Sequence, residues 1–158
     1  MDWLYTLFLT LHNILRWVTL VLAIMATVMA FAGWFGKREW GERDRKIGSF
    51  TAMAMDIQFL LGLILYVVLS PFGIKGLSQG MEFVSANRDF RFFGLEHVAL
   101  MLLAVVFAHL GTILPRKAST SLAKFQRAAI PFAIMFILLV VAIPWWRPLL
   151  RIFSISIP

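Results

Sequence analysis

"LHNILRWVTLVLAIMATVMAFAGW", residues 11–34, decides the fold. From Trp17 to Trp34 it holds no charged residue. With the mostly apolar residues 3–10 before it, the run exceeds the ~20 residues that carry a helix across about 30 Å of hydrocarbon. Three polar side chains nevertheless interrupt it early: His12, Asn13 and Arg16. An arginine near the centre of a bilayer helix costs roughly 2.5–3.5 kcal/mol on insertion scales. Side chains placed there at such a cost mark a candidate site.

The whole chain has the same character. Of its 158 residues, 61% are hydrophobic and 15% charged, and mean hydropathy is +0.85. A soluble domain is nearer 45–50% apolar and about 25% charged. The composition implies an integral membrane protein of one domain, residues 1–158, with the lipid bilayer as its first partner. Three more apolar runs follow the first (3–34), at about 47–69, 92–114 and 128–146. The expected fold is all-α, a transmembrane antiparallel four-helix bundle. Pro71, Pro115 and Pro148 lie just past three of the runs, and Pro131 falls in the first turn of the fourth, where its missing N–H is harmless. The start, "MDWLYTLF", lacks a positive n-region and a small-residue cleavage site, so the first run reads as a retained helix and not a signal peptide.

Charge sets the expected orientation. Loops 37–46 and 115–127 carry five and four Lys or Arg, nine in all; the 70–93 connection and the C-terminal tail carry three and two, five in all. The bias predicts the two basic loops in the cytoplasm and both termini outside. The net charge of +7 is therefore topogenic and lipid-facing, and no nucleic-acid partner is implied. The phenylalanines of the 70–93 connection suggest a segment lying on the bilayer surface. Absence of cysteine excludes disulfides, thiolate metal centres and haem attached through C-x-x-C-H. No phosphate-binding loop, Ser/His/Asp arrangement or metalloprotease motif is present.

The intramembrane polar groups then fall into two sets. His12 and His97 stand at similar depth near the outer edge, on the first and third helices, which an up-down bundle sets diagonally across its centre. Two facing imidazoles are what a bis-histidine haem b needs. Haem propionates need cations: Arg16, one turn after His12, and Arg88 and Arg91, before the third helix, are placed to supply them. The plainer alternative gives each histidine a structural hydrogen bond and pairs Arg16 with Glu96. His109, twelve residues after His97, points ~120° away from it, which disfavours a second haem on one stripe. Its depth matches Asp56 on the second helix. That pair could carry protons or hold a quinone head group; a structural hydrogen bond that satisfies both in lipid is the favoured account.

The motifs "LHNILRW" (11–17), "QFLLGLILY" (58–66), "GLEHVALM" (94–101) and "IPWWRP" (143–148), in this order, resemble a family of small four-helix bacterial membrane proteins loosely labelled cytochrome-b-like. The resemblance covers essentially the whole chain. It implies a membrane electron-transfer protein and highlights His12, Asn13, Arg16, Glu96 and His97. Relatives often carry histidine where this chain has Asp56. Three functions compete: a b-type cytochrome exchanging electrons with quinone; a haem-free accessory subunit of a larger respiratory or photosynthetic complex; and a proton-coupled carrier built on Arg16, Asp56, Glu96 and His109, functional only as a homo-oligomer.

Overall fold

The computed structural model describes residues 2–147, and these are helical throughout their long segments, with no strand among them. Pro148 and the tail arginine Arg151 lie outside the described residues. Helix α1 spans Asp2–Phe35 and α2 spans Glu42–Ile64, continued by a widened turn at Leu65–Leu69. Short helices α3 (Ile74–Leu77), α4 (Met81–Ala86) and α5 (Arg88–Arg91) occupy the long connection. A second widened turn, Phe92–Glu96, leads into α6 (His97–Arg116), and α7 runs Ser121–Ala142. Four helical spans, Trp3–Phe35, Glu42–Leu69, Arg88–Arg116 and Ser121–Ala142, are long and apolar enough to cross a membrane, as in a multi-pass membrane protein.

Two helix starts lie earlier than the apolar runs suggest, for local reasons. α2 begins at Glu42 and not near 47: the Asp44 carboxylate accepts from Gly41 N–H at 3.1 Å and pairs with Arg38 at 2.8 Å, so a charged first turn is capped outside the hydrophobic run. α7 begins at Ser121 and not 128, because Thr120 Oγ1 accepts from Ala123 N–H at 3.2 Å. Pro131 therefore sits in the helix interior, not the first turn, and Pro115 sits inside the last turn of α6. At its other end α7 stops at Ala142, where Ile143 turns extended, and Trp145 and Trp146 form a turn beyond it.

α1 packs against α2 and α7, and α6 against the same two helices. The contact layer is rich in alanine: Ala23, Ala26 and Ala30 of α1, Ala104 and Ala108 of α6, Ala128 and Ala129 of α7 are all buried. Lipid offers no hydrophobic drive to bring helices together, so small side chains that let backbones approach are the means of association. Gly33 and Gly111 carry this furthest, since a Cβ at Gly33 would stand 2.2 Å from the Phe125 ring and one at Gly111 2.5 Å from the Phe132 ring. Met55, Met101 and Met135 fill the gaps between, while large apolar side chains such as Val21, Val28, Leu60, Leu102 and Ile137 point outward.

Candidate functional site

α1 and α6 bring His12 and His97 together, with ring centroids 6.3 Å apart and planes at 68°. Each ring is held by a neighbour that fixes its tautomer. His97 Nδ1 lies 2.8 Å from the carbonyl oxygen of Ala142. A carbonyl can only accept, so Nδ1 carries the proton and Nε2 of the neutral ring carries the lone pair. The helix end supplies that acceptor: α7 stops at Ala142, Pro144 follows without an N–H, and the last carbonyls need outside donors.

His12 is held from α2. The Gln58 amide nitrogen donates to the His12 carbonyl at 3.0 Å and lies 3.2 Å from His12 Nε2. An amide NH2 only donates, so His12 Nε2 also carries its lone pair. The proton is then on Nδ1, a buried atom with no hydrogen-bond partner among the described residues; the same is true of Gln58 Oε1. Buried polar atoms of this kind are uncommon, and each costs roughly 1–3 kcal/mol. Gly62, one turn along α2 from Gln58, gives the ring its room: a Cβ there would stand 3.1 Å from His12 Cε1. The two widened turns flank the cluster, one after Gly62 and one before His97, and Tyr66 of the first donates to the Gly94 carbonyl of the second at 3.0 Å. Such local widening re-aims side chains and recurs at functional sites.

Arg16 is buried, and its guanidinium donates to Asn13 Oδ1 at 3.2 Å and lies over the Trp17 ring, 5.4 Å from its centroid. The alternative pairing of Arg16 with Glu96 gives way to a different one: Glu96 Oε1 takes Arg91 Nε at 2.9 Å, on the exposed side of the widened turn. Arg91 reaches Glu96 because both lie in the same short stretch, five residues apart. Arg88 is spent on the Trp146 ring, 4.0 Å from its centroid, and Asp89 binds Arg147 and Trp146, tying α5 to the segment after α7. Of the cationic candidates, Arg16 alone is buried on the face of His12.

The second polar set is also brought together. His109 Nε2 lies 2.9 Å from Asp56 Oδ1, bridging α6 and α2, with the two side chains 44% and 41% exposed. This pair is separate from the His12–His97 cluster, as the twelve-residue spacing of the two α6 histidines requires. Sequence reasoning assigned no role to Gln58, whose only signal is an amide inside an apolar run.

Could the cluster hold haem? Two imidazoles on one iron need Fe–N bonds of about 2 Å each plus the distance from each nitrogen to its ring centre, roughly 6 Å between centroids in all. The rings stand at that separation, both with lone pairs on Nε2, and the His97 Nδ1–carbonyl bond is the usual support of a ligating histidine. The residues fit in type, in tautomer and in the separation of their ring centres. The Gln58 amide is the group that must leave His12 Nε2 for a metal to reach it. No cluster of three or more metal-ligating His, Cys, Asp or Glu side chains exists among the described residues.

In comparisons with known proteins, no family model, no curated protein and no solved structure matches the chain.

Proposed function

We propose that the protein is a small membrane electron-transfer protein of the b-type cytochrome class, with haem b between His12 and His97. The observation that carries this reading is the pair of Nε2 lone pairs on rings 6.3 Å apart, contributed by two helices that share both neighbours. When bound, haem supplies one-electron chemistry. The chain's own residues would hold it: His12 and His97 as ligands, Arg16, backed by Asn13, as the buried cation for a propionate, and Arg91, backed by Glu96, as the exposed one. Quinone of the surrounding membrane is the proposed electron partner. The resemblance of "LHNILRW" and "GLEHVALM" to cytochrome-b-like membrane proteins supports the same reading. We further propose an antiparallel four-helix bundle with both termini outside, from the Lys and Arg bias of its loops.

A visible spectrum of protein purified from membranes tests the haem reading. Reduced-minus-oxidised bands of a low-spin b haem, lost in His12→Ala and in His97→Ala, are expected; full haem retention in both single variants overturns the assignment. A reporter fused after Pro158 and active only in the cytoplasm would overturn the orientation. The Gln58 contact favours a second reading, a haem-free accessory subunit in which Gln58, His12, His97 and the Ala142 carbonyl lock the helices together. That reading predicts no haem band and a folded bundle.

A further inference from the structure

Two polar ladders face each other along the seam between α2 and α6. On α2, Arg45, Ser49 and Asp56 are four and seven residues apart; on α6, Arg116, Thr112 and His109 are four and three apart. At 100° per residue each set keeps to one helix face. The faces meet: His109 and Asp56 are in contact at 2.9 Å, and Arg45, Ser49, Thr112 and Arg116 line one cleft of about 400 Å³. Lys124 of α7 borders the same cleft, and the Phe132 ring packs against Gly48 and Gly111 in its wall.

The charge of this cleft is positive once its internal pairs are removed. Asp44 is held by Arg38 and the Gly41 N–H, and Glu42 by Lys46 at 2.8 Å and Arg45 at 3.7 Å. Arg116 and Lys124 have no acidic partner among the described residues, so two cations border the cleft uncompensated. The cleft lies where α2 begins and α6 ends, the level at which a membrane-spanning helix meets head groups.

We infer that the α2–α6 seam is a binding site for an anionic phospholipid. Its phosphate sits in the cleft with Arg45, Arg116 and Lys124, and its glycerol ester region reaches along the seam toward Asp56 and His109. Basic pockets between membrane helices are the general means of holding anionic head groups. Arg116 and His109 are seven residues apart, about 10 Å of helix, so a phosphate held at the level of Thr112, part-way between them, sets its ester region beside Asp56 and His109. The lipid also accounts for the half-exposed pair, since polar side chains against bare hydrocarbon are costly and ester carbonyls and glycerol oxygens are not hydrocarbon. This inference is independent of the haem reading.

The test uses the full chain in detergent, with native mass spectrometry for retained lipid and thermal unfolding on adding phosphatidylglycerol, phosphatidylcholine or inorganic phosphate. The expected result is one retained anionic lipid and stabilisation by phosphatidylglycerol alone. Arg116→Gln with Lys124→Gln should weaken that binding about 30-fold, or about 2 kcal/mol at 1.4 kcal/mol per tenfold. Arg43→Gln with Lys117→Gln removes the same charge away from the cleft and should leave binding within about threefold. Equal weakening by both pairs makes the attraction diffuse and overturns the site. Equal stabilisation by inorganic phosphate, unaffected by Asp56→Ala, makes the ligand a free phosphate and overturns the lipid. If the Arg116 and Lys124 variant does not fold, Ser49→Trp fills the cleft with no loss of charge, and lipid retained in that variant overturns the proposal as well.

Discussion

Two histidines of one helix, α6, live in opposite surroundings. His97 faces inward: its Nδ1 is tied to a backbone carbonyl and its ring stands against His12, beside buried Gln58. His109 faces the α2–α6 seam, half exposed, and bonds a side chain that is half exposed too. The first partner is a helix end that cannot move without unpacking α7; the second is a rotatable carboxylate. The inward histidine is thus pre-oriented with its lone pair fixed, as a ligand requires. The outward one has latitude, and its contact belongs with groups that meet lipid. Twelve residues of helix separate a rigid site from an adaptable one.

The sharpest way to break this contrast is at the rigid end. His97→Ala removes the donor to the Ala142 carbonyl, and His12→Ala the ring it faces; either should abolish a haem Soret band completely, while His109→Ala should leave it intact. Loss of the band in His109→Ala with retention in His97→Ala would reverse the roles given to the two histidines. Absorbance normalised to inserted protein reads this directly.

Next in size is Gln58→Leu. It deletes the donor to the His12 carbonyl at 3.0 Å and the contact with Nε2, at a site where the partners are buried. A loss of about 1–3 kcal/mol in the haem-free protein is expected from the groups left unpaired. In the haem-bound protein the loss should be smaller, because Gln58 must already have left Nε2. Equal losses with and without haem would place the iron elsewhere. Asp56→Ala, by contrast, removes a half-exposed bond and should cost about 0.6 kcal/mol, the average for hydrogen bonds between membrane helices. A cost above that of Gln58→Leu in thermal unfolding would mean that the seam, not the centre, is the rigid region.

How far these sites are legible in the sequence differs for the same physical reason. The four spans are written in hydropathy, because a helix of some twenty apolar residues needs hydrocarbon around it and rarely occurs outside a bilayer. The starts at Glu42 and Ser121 are not, since charged turns outside the hydrocarbon fold through caps such as Asp44 and Thr120, which hydropathy ignores. Matching depth is enough to set His12 beside His97, and Asp56 beside His109, because helix rise converts residue counts into height. The Ala142 carbonyl could not be foreseen: a backbone acceptor has no residue type, and it is free only because α7 ends there. Gln58 carries no spacing signal, and it becomes informative only when α2 is seen to face His12.

The smallest effect concerns Arg16 and Glu96, which sequence proximity to His12 and His97 invites one to pair. Glu96 instead holds Arg91 at 2.9 Å, with both side chains about half exposed. An ion pair of that exposure is worth about 0.2–1 kcal/mol at most, so Glu96→Gln should change stability little. Arg16 is buried, hydrogen-bonded to Asn13 and on the face of His12, so Arg16→Gln should act on the histidine cluster, lowering the midpoint potential of a bound haem by removing a positive charge near its iron. Among the described residues Arg16 contacts Asn13 and Trp17 while Glu96 contacts Arg91, and a double-mutant cycle should give a coupling below about 0.3–0.5 kcal/mol, the additivity expected of independent sites. The cycle is read twice, in unfolding and in midpoint potential. If Glu96→Gln restores both to their values before Arg16→Gln was introduced, Glu96 is the partner of Arg16 after all, and the assignment of the buried arginine to a propionate fails.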